Sequence, residues 1–316
     1  MRDQVNHLLI LSKNAEAYLE LIKAYKLPNL KIIALSEAEE AKIKGRECRM
    51  VLGEPGLIHP ILPYLTKLEW IQSTWAGIKP FLRAGYRKDY QLTGVKEIFG
   101  PQMSEYVFSY MLEHEKRVRT YRQSQAQKVW DTRLPGQLKG KTIGLMGVGS
   151  IGAHLAQTAK HFQMHTKGYT YRSTDCAWID DYYHGQQLLE FVRDLDYLVS
   201  TLPDTGNTTH LINHTVLKAM KASAILINIG RGNAIDEEAL VDALNQQTIG
   251  GAVLDVFQEE PLRKDHPLWQ TPNTTITAHI SAVSYPEDIT PIFINNYHRF
   301  INSQPLTYLI NFERGY

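Results

Sequence analysis

At 316 residues the chain is too long for one small core and suits two α/β domains. Its 43% hydrophobic and 21% charged composition is that of an ordinary soluble globular protein, which argues against a disordered or fibrous chain. The net charge of +1 offers no field for a polyanion, so nucleic acid is disfavoured as a main partner and any small anionic ligand must be held by local groups.

Cys48 and Cys176 lie far apart, which is neither a disulfide framework nor a metal spacing; no metal site and a reducing compartment are expected. Met1 to Lys13 contains only the short apolar stretch Leu8-Leu9-Ile10-Leu11 after Asp3, which reads as a buried strand too short for a signal peptide. No apolar run approaches the length of a bilayer span, so a cytoplasmic location without a membrane partner is the expectation.

In chain order, Leu8–Leu11 reads as a strand, Ala15–Tyr25 as an amphipathic helix, and Ile32–Leu35, Arg49–Leu52 and Leu68–Ser73 as further strands. This βα alternation implies a parallel sheet spanning roughly the first hundred residues. Gln102–Gln127 reads as one long connecting helix, and the turn-rich Leu134–Gly140 opens a second βα series. Its strands are expected at Thr142–Met146, Tyr169–Tyr171, Tyr197–Ser200, Ala224–Asn228, Ala252–Val256 and Thr274–Ala278, with a helix over Asp236–Gln246 N-capped by Asp236. The near-continuous apolar runs Ala224–Ile227 and Ile249–Val256 suit strands covered on both faces. A last amphipathic helix, Pro286–Ile301, is expected to return to the first domain. The expected fold is therefore α/β, with two doubly wound parallel-sheet domains: residues 1–100 completed by 285–316, and residues 101–284.

Thr142–Met146 runs into Gly147-Val148-Gly149-Ser150-Ile151-Gly152 and then a helical pattern, which is the context a dinucleotide-binding glycine loop requires. Gly147 permits the tight turn, Gly149 lets backbone approach a pyrophosphate, and Gly152 lets helix pack on strand, with the helix N-terminus facing the phosphates. Read for this purpose as Thr166–Thr170, the next strand would end in an acid if it were to bind the ribose diol of NAD, but Thr170 stands there, followed by Tyr171-Arg172-Ser173-Thr174. Arg172 and Ser173 suit a 2′-phosphate, so NADP is favoured; Asp175 is the displaced acid that leaves NAD as the alternative.

Three later blocks place ionisable residues at or beyond strand ends: Asn228-Ile229-Gly230-Arg231-Gly232, Leu254-Asp255 through Glu260-Pro261-Leu262, and Thr277-Ala278-His279. Reduction of a 2-oxo acid needs a cation for the carboxylate, a proton donor for the carbonyl oxygen and an anion that keeps the donor charged. Arg231, His279 and Glu260 are the residue types that meet those needs. Singly, each has a plain structural reading as well: a surface cation, a loop histidine, a cap. Asp255, closing an apolar strand, is the acid best placed to be partly buried.

Together these blocks resemble the D-isomer-specific 2-hydroxyacid dehydrogenase family, from about Leu68 to the C-terminus and most strongly in Gly144–Gly152, Ile227–Leu240, Gly251–Leu262 and Thr277–Ala282. The resemblance implies a Rossmann NAD(P)-binding domain and a flavodoxin-like substrate domain around a cleft, a homodimer, and a catalytic set of Arg231, Glu260 and His279. It further implies nicotinamide contact at Asp255 and substrate-carboxylate contact at the backbone of Ala76 and Gly77, beside Arg231 and His279. Cofactor contacts are also expected at Leu202, Pro203, Ile229 and Gly230. Pro267-Leu268-Trp269 and Arg314-Gly315-Tyr316 look like the glyoxylate/hydroxypyruvate reductase branch, which prefers NADPH; Lys79, where the family often has Asp, departs from the pattern. The partner is then a small 2-oxo or 2-hydroxy acid. A 3-phosphoglycerate dehydrogenase-like activity is the second reading, although little chain remains for a regulatory extension, and an NAD(P)-sensing, corepressor-like binding protein is the third.

Overall fold

Leu8, Leu9, Ile10 and Leu11 are wholly buried, as a strand covered on both faces must be, and β1 (Asn6–Leu11) is the strand around which the first sheet forms. The structure is a computed structural model that describes residues 5–83 and 85–313. β1 pairs in parallel with β2 (Leu30–Leu35) and β3 (Met50–Gly53), Leu8 standing opposite Ile32 and Met50. β4 (Trp70–Ser73) and β5 (Gln91–Thr93) extend the sheet to the order β2-β1-β3-β4-β5, the doubly wound order of flavodoxin-type sheets. The helix Pro286–Ile301 belongs to this unit: Phe293 stacks on Trp70 with ring centroids 5.3 Å apart, and Tyr297 donates to the Pro28 carbonyl at 2.6 Å.

The second sheet has seven parallel strands: β6 (Thr142–Met146), β7 (His165–Tyr169), β8 (Asp181–Tyr183), β9 (Tyr197–Ser200), β10 (Ile225–Asn228), β11 (Gly251–Leu254) and β12 (Thr274–Ile276). Their order is β12-β11-β10-β9-β6-β7-β8. The chain winds outward from β6 through β7 to β8, then returns to lay β9 on the other side of β6, with Gly144 opposite both Lys167 and Leu198. Ligands of such sheets bind beyond the strand C-termini at that reversal. Ile143 and Leu145 face Val107, Phe108 and Met111 of the helix Gly100–Glu115, while Leu198, Leu226 and Leu254 join Phe191 and Leu240 in a second cluster.

By contact density the chain divides into a unit formed by the residues up to Ile98 and from Ser284 onward, and a unit Phe99–Val283. Two local expectations need correcting, and two strands are additional. The helix read as Gln102–Gln127 is two helices, Gly100–Glu115 and Val118–Ala126, because Arg117 adopts a left-handed φ of 52° that ends the first. The second strand of the second sheet ends at Tyr169, so Tyr171 and Arg172 lie in the loop beyond it. β5 and β8, three residues each, carry too little pattern to be read. The cap at Asp236 is as expected, its carboxylate accepting from Ala239 N at 3.1 Å. Among the described residues no helix is long and apolar enough to cross a membrane, and no group of three or more His, Cys, Asp or Glu is placed to hold a metal.

Candidate active site

The glycine loop has the shape a pyrophosphate needs. Gly147 sits at φ 92°, and a Cβ on Gly152 would stand 2.2 Å from the Gly147 carbonyl oxygen, so only glycine lets the turn close against the helix. A Cβ on Gly149 would meet nothing within 4 Å among the described residues. The helix Ser150–His161, which carries Ile151, starts without a side-chain cap among the described residues, leaving its first N–H groups for an anion.

Beyond β7 the loop turns back on itself. Thr170, only 9% exposed, donates its hydroxyl to the Ser173 carbonyl at 2.6 Å, and its own carbonyl lies 3.0 Å from His184 Nδ1. Thr170 is thus a brace of the turn. Arg172 is exposed, its guanidinium carbon 5.2 Å from the Tyr171 ring centre, and Ser173 donates to Asp175 at 3.2 Å.

Leu202 and Pro203 follow β9, the first buried and the second exposed; Ile229 and Gly230 follow β10 and are both buried. A Cβ on Gly230 would meet the Leu202 backbone at 2.7 Å, so these two strand ends touch. Arg231 comes next, its Nη1 donating to the Gly230 carbonyl at 2.6 Å and its own carbonyl held by Asn228 Nδ2 at 3.1 Å. Burial works against the Arg231 charge, and the nearby carboxylates of Glu260 and Asp204 work for it.

Glu260 and His279, nineteen residues apart, meet at 2.8 Å between Oε2 and Nδ1. Because a carboxylate only accepts, Nδ1 carries the hydrogen and Nε2 is left for another partner. The Glu260 hydrogen bond is the largest influence on His279 and holds its pKa above the ordinary imidazole value despite burial. Burial pushes Glu260 up, but the His279 contact, the Phe257 N–H and the Arg231 charge together hold it below the ordinary carboxylate value.

Asp255, directly after β11, is 0% exposed. Its Oδ1 accepts from Thr277 Oγ1 at 2.6 Å and Ile280 N at 2.8 Å, and its Oδ2 from Ser281 N at 2.9 Å. The His279 N–H donates to the Asp255 carbonyl at 2.8 Å, and His279 itself sits at φ 55°. Asp255 therefore shapes the loop that presents His279. Arg231, Glu260, His279 and Asp255 all belong to the Phe99–Val283 unit; Ala76 and Gly77 lie in the other unit, after β4, where Ser73 Oγ accepts from Trp75 N at 3.1 Å. Lys79 opens the short helix Lys79–Leu82. Sequence reading missed Gln102 and Tyr106, whose side chains bond Val283 and Thr277 of the same loop across 181 and 171 residues.

A doubly wound parallel sheet with an open glycine loop at its reversal, and an Arg, Glu and His at neighbouring strand ends, is the layout of a nucleotide-dependent oxidoreductase. Residues 108–281 match the model of the D-isomer specific 2-hydroxyacid dehydrogenase NAD binding domain, and the chain belongs to that family. It is 32% identical over 215 residues, 68% of this chain and 69% of the relative, to glyoxylate/hydroxypyruvate reductase A of Yersinia enterocolitica. It is 28% identical over 298 residues, 92% of this chain and 93% of the relative, to the protein of that name from Photorhabdus laumondii. A crystal structure of a D-isomer specific 2-hydroxyacid dehydrogenase family protein from Aeromonas salmonicida superposes with a TM-score of 0.94 at 43% identity, covering 98% of this chain and 100% of that one.

Proposed function

We propose that the protein reduces a small 2-oxo acid of the glyoxylate or hydroxypyruvate type with NADPH to the 2-hydroxy acid, of D configuration wherever reduction makes C2 a stereocentre. The observation that carries this reading is the His279–Glu260 pair at 2.8 Å in the unit that also holds Arg231. The curated relatives named above support the substrate class.

The glycine loop fits a dinucleotide: Gly147, Gly149 and Gly152 leave space, and the N–H groups at Ser150 and Ile151 face it, with Leu202, Pro203, Ile229 and Gly230 at the adjoining strand ends. When bound, the reduced nicotinamide supplies the hydride. Arg231 takes the substrate carboxylate, its planar fork matching two oxygens at once. Protonated His279 gives the Nε2 proton to the substrate oxygen as that oxygen gains charge, and Glu260 stabilises the imidazolium beforehand. In the oxidative direction neutral His279 takes the proton back. In this reading the Phe99–Val283 unit binds cofactor, and Ala76 and Gly77 are substrate-binding residues through their backbone, as the family resemblance implies. Arg172 and Ser173 take the 2′-phosphate. The proposal includes a homodimer, as the family resemblance implies, and a cytoplasmic location, as the cysteine usage and the short N-terminal apolar stretch suggest.

NADPH oxidation measured across a panel of 2-oxo acids tests the reading. Turnover with glyoxylate or hydroxypyruvate is expected. Turnover only with 3-phosphohydroxypyruvate would move it to the phosphoglycerate class, and cofactor binding without turnover on any acid would leave a nucleotide-sensing protein.

A further inference from the structure

We propose that Gln102 and Tyr106 are positioning residues for His279, splinting its loop to the helix Gly100–Glu115; the inference rests on His279 being the proton donor. The two side chains stand one turn apart and so share a helix face. Gln102 makes two bonds to one residue, its Nε2 donating to the Val283 carbonyl at 3.0 Å and its Oε1 accepting from Val283 N at 2.8 Å. Tyr106 OH lies 2.6 Å from Thr277 Oγ1. Thr277 spends its one hydroxyl hydrogen on Asp255 Oδ1, so Tyr106 must be the donor, and the chain runs Tyr106 to Thr277 to Asp255.

The loop is thereby tied to the helix at both ends, Thr277 and Val283, and from behind by Asp255 at Ile280 and Ser281. It needs those ties. A non-glycine residue at φ 55°, as His279 is, persists only where its surroundings over-determine it. Neither side chain takes part in the 2.8 Å contact between His279 and Glu260, so loosening the splint misplaces the imidazole without changing its charge partner. Misplacement of a catalytic group by about 1 Å can cost on the order of a hundred-fold in rate.

Tyr106→Phe and Gln102→Ala test this separately, so failure of one variant to fold leaves the other. Each is expected to lower kcat roughly three- to ten-fold, the worth of one or two neutral hydrogen bonds. KM for NADPH should stay within about two-fold, and the pH at which reduction declines should not move. In the unliganded protein, amide hydrogen exchange of residues 277–283 should quicken in both variants. Unchanged kcat in both, or a rise in the NADPH KM that matches the kcat loss, would overturn the proposal. Exchange reads the loop without reference to turnover. A wild type inactive on every 2-oxo acid would therefore sink the activity reading, whereas unchanged exchange in both variants would sink this one.

Discussion

A methyl group on Gly232 would stand 1.8 Å from the carbonyl carbon of Phe257, so the loop after β10 and the loop after β11 meet backbone to backbone. Arg231 precedes the first of these residues, and Phe257 N donates to Glu260 Oε1 at 3.0 Å. The contact therefore sets the spacing between the cation and the carboxylate. Gly232→Ala is expected to push the loops apart at a cost of about 1–3 kcal/mol in stability. It should lower kcat/KM for the 2-oxo acid at temperatures where the fold is intact. Thermal denaturation with kinetics below the transition checks both; a variant with wild-type values in each would mean the loops accommodate a methyl freely.

Glu260 raises the His279 pKa, and in the proposed mechanism protonated His279 is the form that reduces. Reduction should therefore be full at low pH and fall as pH rises through the His279 pKa. Glu260→Gln removes the anion, which lowers that pKa and moves the falling limb to lower pH. A pH profile of kcat/KM for reduction reads this. A limb that stays in place would assign Glu260 a purely structural role.

Arg231→Lys keeps the charge and loses the fork. The expected loss in kcat/KM for a 2-oxo acid is about ten- to a hundred-fold, one charged hydrogen bond's worth. A carbonyl substrate without the carboxylate should lose far less. Equal losses on both substrates would place Arg231 in the fold or the cofactor site.

Beyond β7, the exposed Arg172 stands on a turn braced by Thr170, where the proposal places the ribose. A charge-assisted contact to one phosphate amounts to roughly ten- to a hundred-fold in affinity, so NADPH should be preferred by about that factor. Arg172→Ala should erase most of the preference and leave the NADH constants nearly intact. KM values for both cofactors decide it, and a wild type that prefers NADH would hand the ribose to Asp175.

What could be read from sequence here is what is local along the chain. The glycine loop lies within six residues, and Arg231 and His279 each come shortly after a strand, so strand-end position and residue type single them out together as candidates. Asp255 was legible as a buried acid, but its three bonds to Thr277, Ile280 and Ser281 were not. Gln102 and Tyr106 look like ordinary positions of an amphipathic helix, because their partners lie far off in sequence. The break at Arg117 carries no glycine or proline to announce it. The start and end of β7 are hard to read because Tyr169 and Tyr171 favour strands more than His165, Lys167 and Gly168 do, so the pattern supports Thr166–Thr170 and Tyr169–Tyr171 alike. The fold places Lys167 in the strand nonetheless, laying its ammonium 5.3 Å from the Tyr183 ring centre.

The most direct test of the account is the turnover of His279→Ala on glyoxylate or hydroxypyruvate with NADPH, measured beside its NADPH affinity. Loss of the proton donor should cut kcat on the order of a hundred- to ten-thousand-fold while NADPH still binds as it does to the wild type. Near-normal turnover in the folded variant would contradict the assignment of His279.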